Sequence, residues 1–129
     1  MAQVLIIDDS KATRSILAES ISSLGFDVFE AKDGKEALQL LGTMYAPVLA
    51  LVDWYMPGMD GVEFIRTVRA DERYKNLRLM MVTTAVNAEH IQLALDAGAD
   101  EYVMKPFTPE IIREKLVLMG VLTNDFGHG

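Results

Sequence analysis

The chain has 129 residues, half of them hydrophobic, with no cysteine and a formal net charge of −7. That is one domain's worth of chain, able to bury a core unaided, and the lack of thiols excludes disulfides and thiolate metal sites. The acidic balance opposes nonspecific binding to nucleic acid or anionic membrane, which needs Lys and Arg against phosphate. No apolar run approaches the roughly 18 residues of a membrane-spanning helix, and the expected location is the cytoplasm.

The first apolar run, QVLIID, reads as a strand. It runs straight into acids, so it is not expected to be a signal peptide. Leu17, Ile21 and Leu24 step by four and three, and Gly25 follows as a stop, predicting the first helix. DVFEA is the second strand, and Ala37, Leu38 and Leu41 stripe the second helix. VLALVD is the third strand. Asp60-Gly61-Val62-Glu63, an acid-capped variant of the capping box, opens a third helix carrying Val62, Ile65 and Val68. LRLMMVTT is the fourth strand; Ile91, Ala94 and Leu95 mark the fourth helix, which closes at Gly98. EYVMK is the fifth strand. Thr108 then suits an N-cap and Pro109 the first helical position, whose amide has no partner in a helix, while Ile112, Leu116 and Met119 supply a buried face.

Five strand–helix repeats predict a single α/β domain with a doubly wound parallel sheet and right-handed crossovers. Strands 1, 3 and 4 are near-continuous apolar runs, as expected of strands buried on both faces. The domain is expected over residues 1–120, with 121–129 as a short tail.

In an open parallel sheet, ligands sit beyond the carboxyl ends of the strands. Asp8 and Asp9 stand there after strand 1, Asp53 after strand 3, Thr83 and Thr84 after strand 4, and Lys105, followed by Pro106, after strand 5. Each has an ordinary reading taken alone: Asp8 or Asp9 as a cap or turn residue, Lys105 as a surface charge, the threonines as strand residues. Their occurrence in order at four strand ends favours a site. Three converging carboxylates need a counter-charge. All-oxygen ligands favour a hard cation, and few protein ligands with room for water favour Mg²⁺. With Lys105, this makes a pocket for a tetrahedral anionic group. Asp53, on a central strand and followed by the open loop WYMPGMDG, is the candidate nucleophile toward phosphorus.

The segments IDDS, DWYMPGMDG, MVTT and YVMKPFT together resemble the receiver domain of two-component response regulators, over roughly residues 3–119. The likeness is greatest to the short stand-alone chemotaxis kind (CheY-like). The resemblance implies the flavodoxin-like strand order 2-1-3-4-5. It implies Asp53 as the phosphoacceptor and Asp9 as a direct Mg²⁺ ligand. Asp8 would ligate through water or as a second ligand, and the main-chain carbonyl of Tyr55 would complete the set. Thr83 and Lys105 would each bind a phosphoryl oxygen. Thr84 competes with Thr83 for that role, and spacing to Lys105 favours Thr83. Lys105–Pro106 would be a cis peptide. Tyr102 would be the aromatic that turns inward when Thr83 moves, altering the face made by helix 4, strand 5 and helix 5. Tyr55 and Ala85 would flank the phosphoryl group and set its lifetime.

The implied partners are a sensor histidine kinase or phosphotransfer protein upstream and a protein target downstream, in motor control or a relay. No nucleic acid or membrane insertion is expected, and the state would be monomer or phosphorylation-dependent dimer. The chain would catalyse only its own phosphorylation and dephosphorylation. Other functions fit less well. A phosphohydrolase of the haloacid dehalogenase type wants Asp-x-Asp after strand 1, and residue 10 is Ser. A flavin or nucleotide carrier wants a phosphate-cradling loop there, and DDSKATR has no glycine. A pseudo-receiver acting without phosphorylation would not need the full set of acids, Thr83 and Lys105. His90 and His128 have no partners at ligand spacing and read as surface or tail; Met56 and Met59 read as exposed loop residues, and Trp54 as packing.

Overall fold

The computed structural model describes residues 2–123. Its elements are β1 (Gln3–Ile7), α1 (Lys11–Ser22), β2 (Asp27–Ala31), α2 (Gly34–Leu41), β3 (Pro47–Val52), α3 (Gly61–Arg69), a 3-10 turn (Glu72–Tyr74), β4 (Arg78–Thr83), α4 (Ala88–Ala97), β5 (Glu101–Met104) and α5 (Pro109–Leu118). The strands form one parallel sheet in the order 2-1-3-4-5. The alternation read from the sequence is therefore the fold.

Strand pleat divides the core into two layers. Leu5 and Ile7 join Ala37, Leu41, Phe64, Ile65, Val68, Ala94 and Ala97 beneath α2, α3 and α4. Val4 and Ile6 join Leu17, Ile21, Ile112 and Leu116 beneath α1 and α5. Each fully buried Leu, Ile or Phe here contributes on the order of 1.5–3 kcal/mol. β1, β3 and β4 are central and almost wholly buried, whereas β2 and β5 form the edges and keep exposed positions. Val121 and Leu122 continue to pack on the second layer; residues 124–129, His128 among them, lie outside the described residues.

All five α-helices begin on a polar side chain that accepts an amide hydrogen three residues ahead: Ser10, Asp33, Asp60, Asn87 and Thr108. α4 corrects one expectation. Its buried residues are Ala94 and Ala97, while Leu95 is exposed. Ala94 holds its expected place, Leu95 leaves the buried face and Ala97 joins it, so that small residues meet the helix's neighbours.

Register assembles one end of the sheet. Ile7 pairs with Val52, and the Asp53 amide donates to the Ile7 carbonyl at 3.0 Å. Thr83 pairs with Met104, and the Lys105 amide donates to the Thr83 carbonyl at 2.9 Å. Residues far apart in the chain thus end their strands in step.

Candidate functional site

At this end Asp8, Asp9 and Asp53 each offer a carboxylate oxygen, all within 4.8 Å of one another. Asp8 and Asp53 are buried, and Asp9 is exposed at the mouth. The two oxygens of Asp8 do different work. Oδ1 accepts the Ser10 amide at 2.9 Å, which is the turn role considered from sequence. Oδ2 lies 2.6 Å from Lys105 Nζ. The same ammonium lies 3.4 Å from Asp53 Oδ2. Arg14 Nη1 donates to the Asp8 main-chain carbonyl at 2.6 Å, and its Nε lies 3.4 Å from Glu30.

Burial pushes the Asp53 carboxyl above the usual carboxylate range, and the charge of Asp8 adds to this. Lys105 pulls in the opposite direction, as do hydrogen bonds from the Thr83 hydroxyl and the Trp54 amide. Desolvation outweighs the single ammonium, so one lysine does not neutralise the pocket. An all-oxygen set of three carboxylates fits a hard divalent cation.

The structure separates the two threonines: Thr83 is fully buried and Thr84 exposed. The Ala85 amide donates to Thr83 Oγ1 at 3.3 Å. Tyr102, half-buried, donates its hydroxyl to the Ala85 carbonyl. Burial, with Tyr55 and Asp53 nearby, pushes that hydroxyl up to about 12. Lys105–Pro106 is cis, as expected. Tyr55 is 53% exposed, whereas Ala85 is buried.

The loop after Asp53 is closely held. The Gly61 amide donates to the Trp54 carbonyl at 2.9 Å, and a Cβ on Gly61 would fall 2.3 Å from the Asp53 carbonyl oxygen. Only a glycine lets α3 start this close to the strand end. Met56 is buried, against expectation, and Met59 lies half-buried over Gly34. Apolar side chains in a polar loop folded back onto the core find cover that the local pattern does not reveal. Trp54 packs, as expected, in the core layer beneath α2, α3 and α4.

Sequence reasoning missed Arg14, because nothing in DDSKATR marks it as facing back toward Asp8. It also missed a partner for His90. That ring meets Trp54 edge to face, with centroids 4.7 Å apart at an interplanar angle of 76°. Its Nδ1 lies 2.6 Å from Asn87 Oδ1.

The profile of the response regulator receiver domain matches residues 4–117. The chain is 40% identical over 125 residues to chemotaxis protein CheY1 of Helicobacter pylori, covering 95% of this chain and 99% of that one. It is 42% identical over 115 residues to chemotaxis protein CheY of Pseudomonas aeruginosa, covering 88% and 92%. Among solved structures, chemotaxis protein CheY4 of Vibrio cholerae superposes with a TM-score of 0.86 at 34% identity, covering 92% of this chain and 98% of that one.

Proposed function

The chain belongs to the response regulator receiver domain family, and from that premise we propose that it is a switch set by phosphorylation of Asp53. The observation that carries this reading is the Lys105 ammonium lying between Asp8 and Asp53 inside a group of three carboxylates. Such a pocket is short of positive charge and shaped for an anionic group bound together with a cation.

The proposed step is a phosphoryl transfer. A carboxylate oxygen of Asp53 attacks phosphorus in a phosphohistidine of a partner kinase or phosphotransfer protein. The P–O bond forms, the P–N bond breaks, and the imidazole departs with the electron pair and takes up a proton. Hydrolysis reverses the loading when water attacks phosphorus and frees inorganic phosphate. Asp8, Asp9, Asp53 and the main-chain carbonyl of Tyr55 would hold Mg²⁺, which supplies counter-charge to the phosphoryl oxygens. Lys105 would exchange Asp8 for one of those oxygens, and the Thr83 hydroxyl would bind another.

The phosphoryl group biases conformation only through contacts that differ between states. Thr83 and Tyr102 are linked through Ala85, whose amide meets the Thr83 hydroxyl and whose carbonyl takes the Tyr102 hydroxyl. Movement of Thr83 would therefore be felt at Tyr102 and on the face of α4, β5 and α5. Met104, Ile111 and Leu118 are exposed there, which suits a protein partner, or a second copy after phosphorylation. No helix among the described residues is long and apolar enough to cross a membrane, and we place the switch in the cytoplasm, where the kinase's phosphohistidine would be met. The chain then turns over no substrate beyond its own phosphoryl group. The domain would run over residues 1–120, and the target would be a motor component or a relay protein.

The test uses Trp54, the single tryptophan. Its fluorescence is followed through Mg²⁺ and then beryllofluoride, with mass spectrometry after a small phosphodonor, in wild type and Asp53→Asn. A Mg²⁺-dependent response and an adduct, both lost in Asp53→Asn, are expected. No response and no adduct in wild type would favour a pseudo-receiver. Phosphorylated Lys105→Ala is expected to bind the partner poorly, and normal binding would contradict the role of Lys105 in propagation.

A further inference from the structure

His90 stands in the first turn of α4, three residues past the N-cap Asn87. Asn87 Oδ1 accepts the His90 amide at 2.9 Å and lies 2.6 Å from His90 Nδ1. That oxygen can only accept, so Nδ1 carries its proton and the ring is turned by the cap itself. In this orientation the ring meets Trp54 edge to face at 4.7 Å, within the favourable range for aromatic pairs. Trp54 is the residue immediately after Asp53. Its main chain continues directly from Asp53, and its carbonyl is held by the Gly61 amide at 2.9 Å. Its indole is buried in the core. One residue therefore shares its main chain with the acceptor position and meets the first turn of α4 with its side chain.

We infer that His90 is a positioning residue that ties the start of α4 to the state of Asp53 through Trp54. This route is separate from the one through Thr83 and Tyr102. The Tyr102 hydroxyl holds the Ala85 carbonyl, two residues before the cap; the Trp54 ring holds His90, three residues after it. The segment 85–90 is thus gripped at both ends by groups that lead back to Asp53. A group arriving on Asp53 shifts the main chain that Asp53 shares with Trp54, and a rigid indole carries that change to the helix. A free helix start would not follow.

The inference rests on the reading of Asp53 as phosphoacceptor, and the test separates the two. Amide hydrogen exchange across 88–91 is measured with and without Mg²⁺ and beryllofluoride in wild type, His90→Ala, His90→Gln and His90→Phe, alongside adduct formation by mass spectrometry. Near-ultraviolet circular dichroism of Trp54 reports the ring contact. The expected result is normal adduct formation in all four proteins. The beryllofluoride-induced change in exchange is lost in His90→Ala and His90→Gln and restored by the ring of His90→Phe. An unchanged response in His90→Ala, or rescue by Gln as complete as by Phe, would overturn the role of His90 while leaving the acceptor reading intact. No adduct in wild type would overturn both.

Discussion

Lys105 Nζ is nearer to Asp8, at 2.6 Å, than to Asp53, at 3.4 Å. A cation held by Asp8 would therefore compete with the lysine for the same carboxylate. Replacing Lys105 by Ala removes a positive charge from beside the cation site and frees Asp8. Mg²⁺ should bind more tightly, by about 1 kcal/mol or roughly fivefold, as read by Trp54 fluorescence or calorimetric titration. Weaker Mg²⁺ binding in Lys105→Ala would show that the lysine organises the site rather than competing for it.

Tyr102 gives a spectroscopic handle on the switch. Its hydroxyl is pushed up to about 12, chiefly by burial. From the ordinary value of 10.0 to about 12, the unfolded chain releases this proton while the folded one keeps it. Its contribution to stability is therefore complete below pH 10 and lost as pH rises across that window. In an absorbance titration at alkaline pH, the step missing from Tyr102→Phe should be the one centred near 12. A missing step near 10 would mean that the hydroxyl is not held as described.

Tyr55 stands half open to solvent while Ala85 is buried, and in the proposed function the two flank the phosphoryl group. A smaller polar residue in place of the ring would admit and orient water. Tyr55→Asn should accelerate loss of the phosphoryl group severalfold, followed by decay of the phosphorylated species. An unchanged rate would remove this pair from control of lifetime.

Gly61 is constrained by contact, since its Cβ would lie 2.3 Å from the main-chain oxygen of Asp53. Backbone cannot yield as a flexible side chain can. Gly61→Ala should cost about 1–3 kcal/mol, the usual range for overpacking, and should slow acceptor chemistry by displacing Asp53. Thermal unfolding and phosphodonor labelling measure the two effects. A fully stable, fully reactive Gly61→Ala would refute the close approach.

Arg69 closes the opposite end of α3 and α4. Its guanidinium donates to the carbonyls of Gly98, Tyr74 and Leu77 and, at 2.6 Å, to Asp100, whose carboxylate also accepts the Leu79 amide. Arg69→Ala leaves that set of acceptors without their shared donor. With the group partly open to water, the loss should be about 2 kcal/mol in urea unfolding. Arg69→Lys should recover only part of it, because an ammonium lacks the planar fork.

What the sequence determined by itself is what local chemistry determines. Apolar periodicity set the alternation of strands and helices, and Thr108-Pro109 marked the start of α5, because caps and turns act over three or four residues. The topology of a parallel sheet then carried Asp8, Asp9, Asp53, Thr83 and Lys105 to one end without any knowledge of contacts. Tertiary structure decided the rest. Strand pleat turned Thr83 inward and Thr84 outward. Helix phase buried Ala97 rather than Leu95. Loop packing covered Met56. Only the fold could place Lys105 on Asp8, His90 on Trp54 and Arg69 on Asp100. These pairings join residues from tens to nearly a hundred positions apart, and their geometry depends on how neighbouring elements pack, which no local pattern encodes.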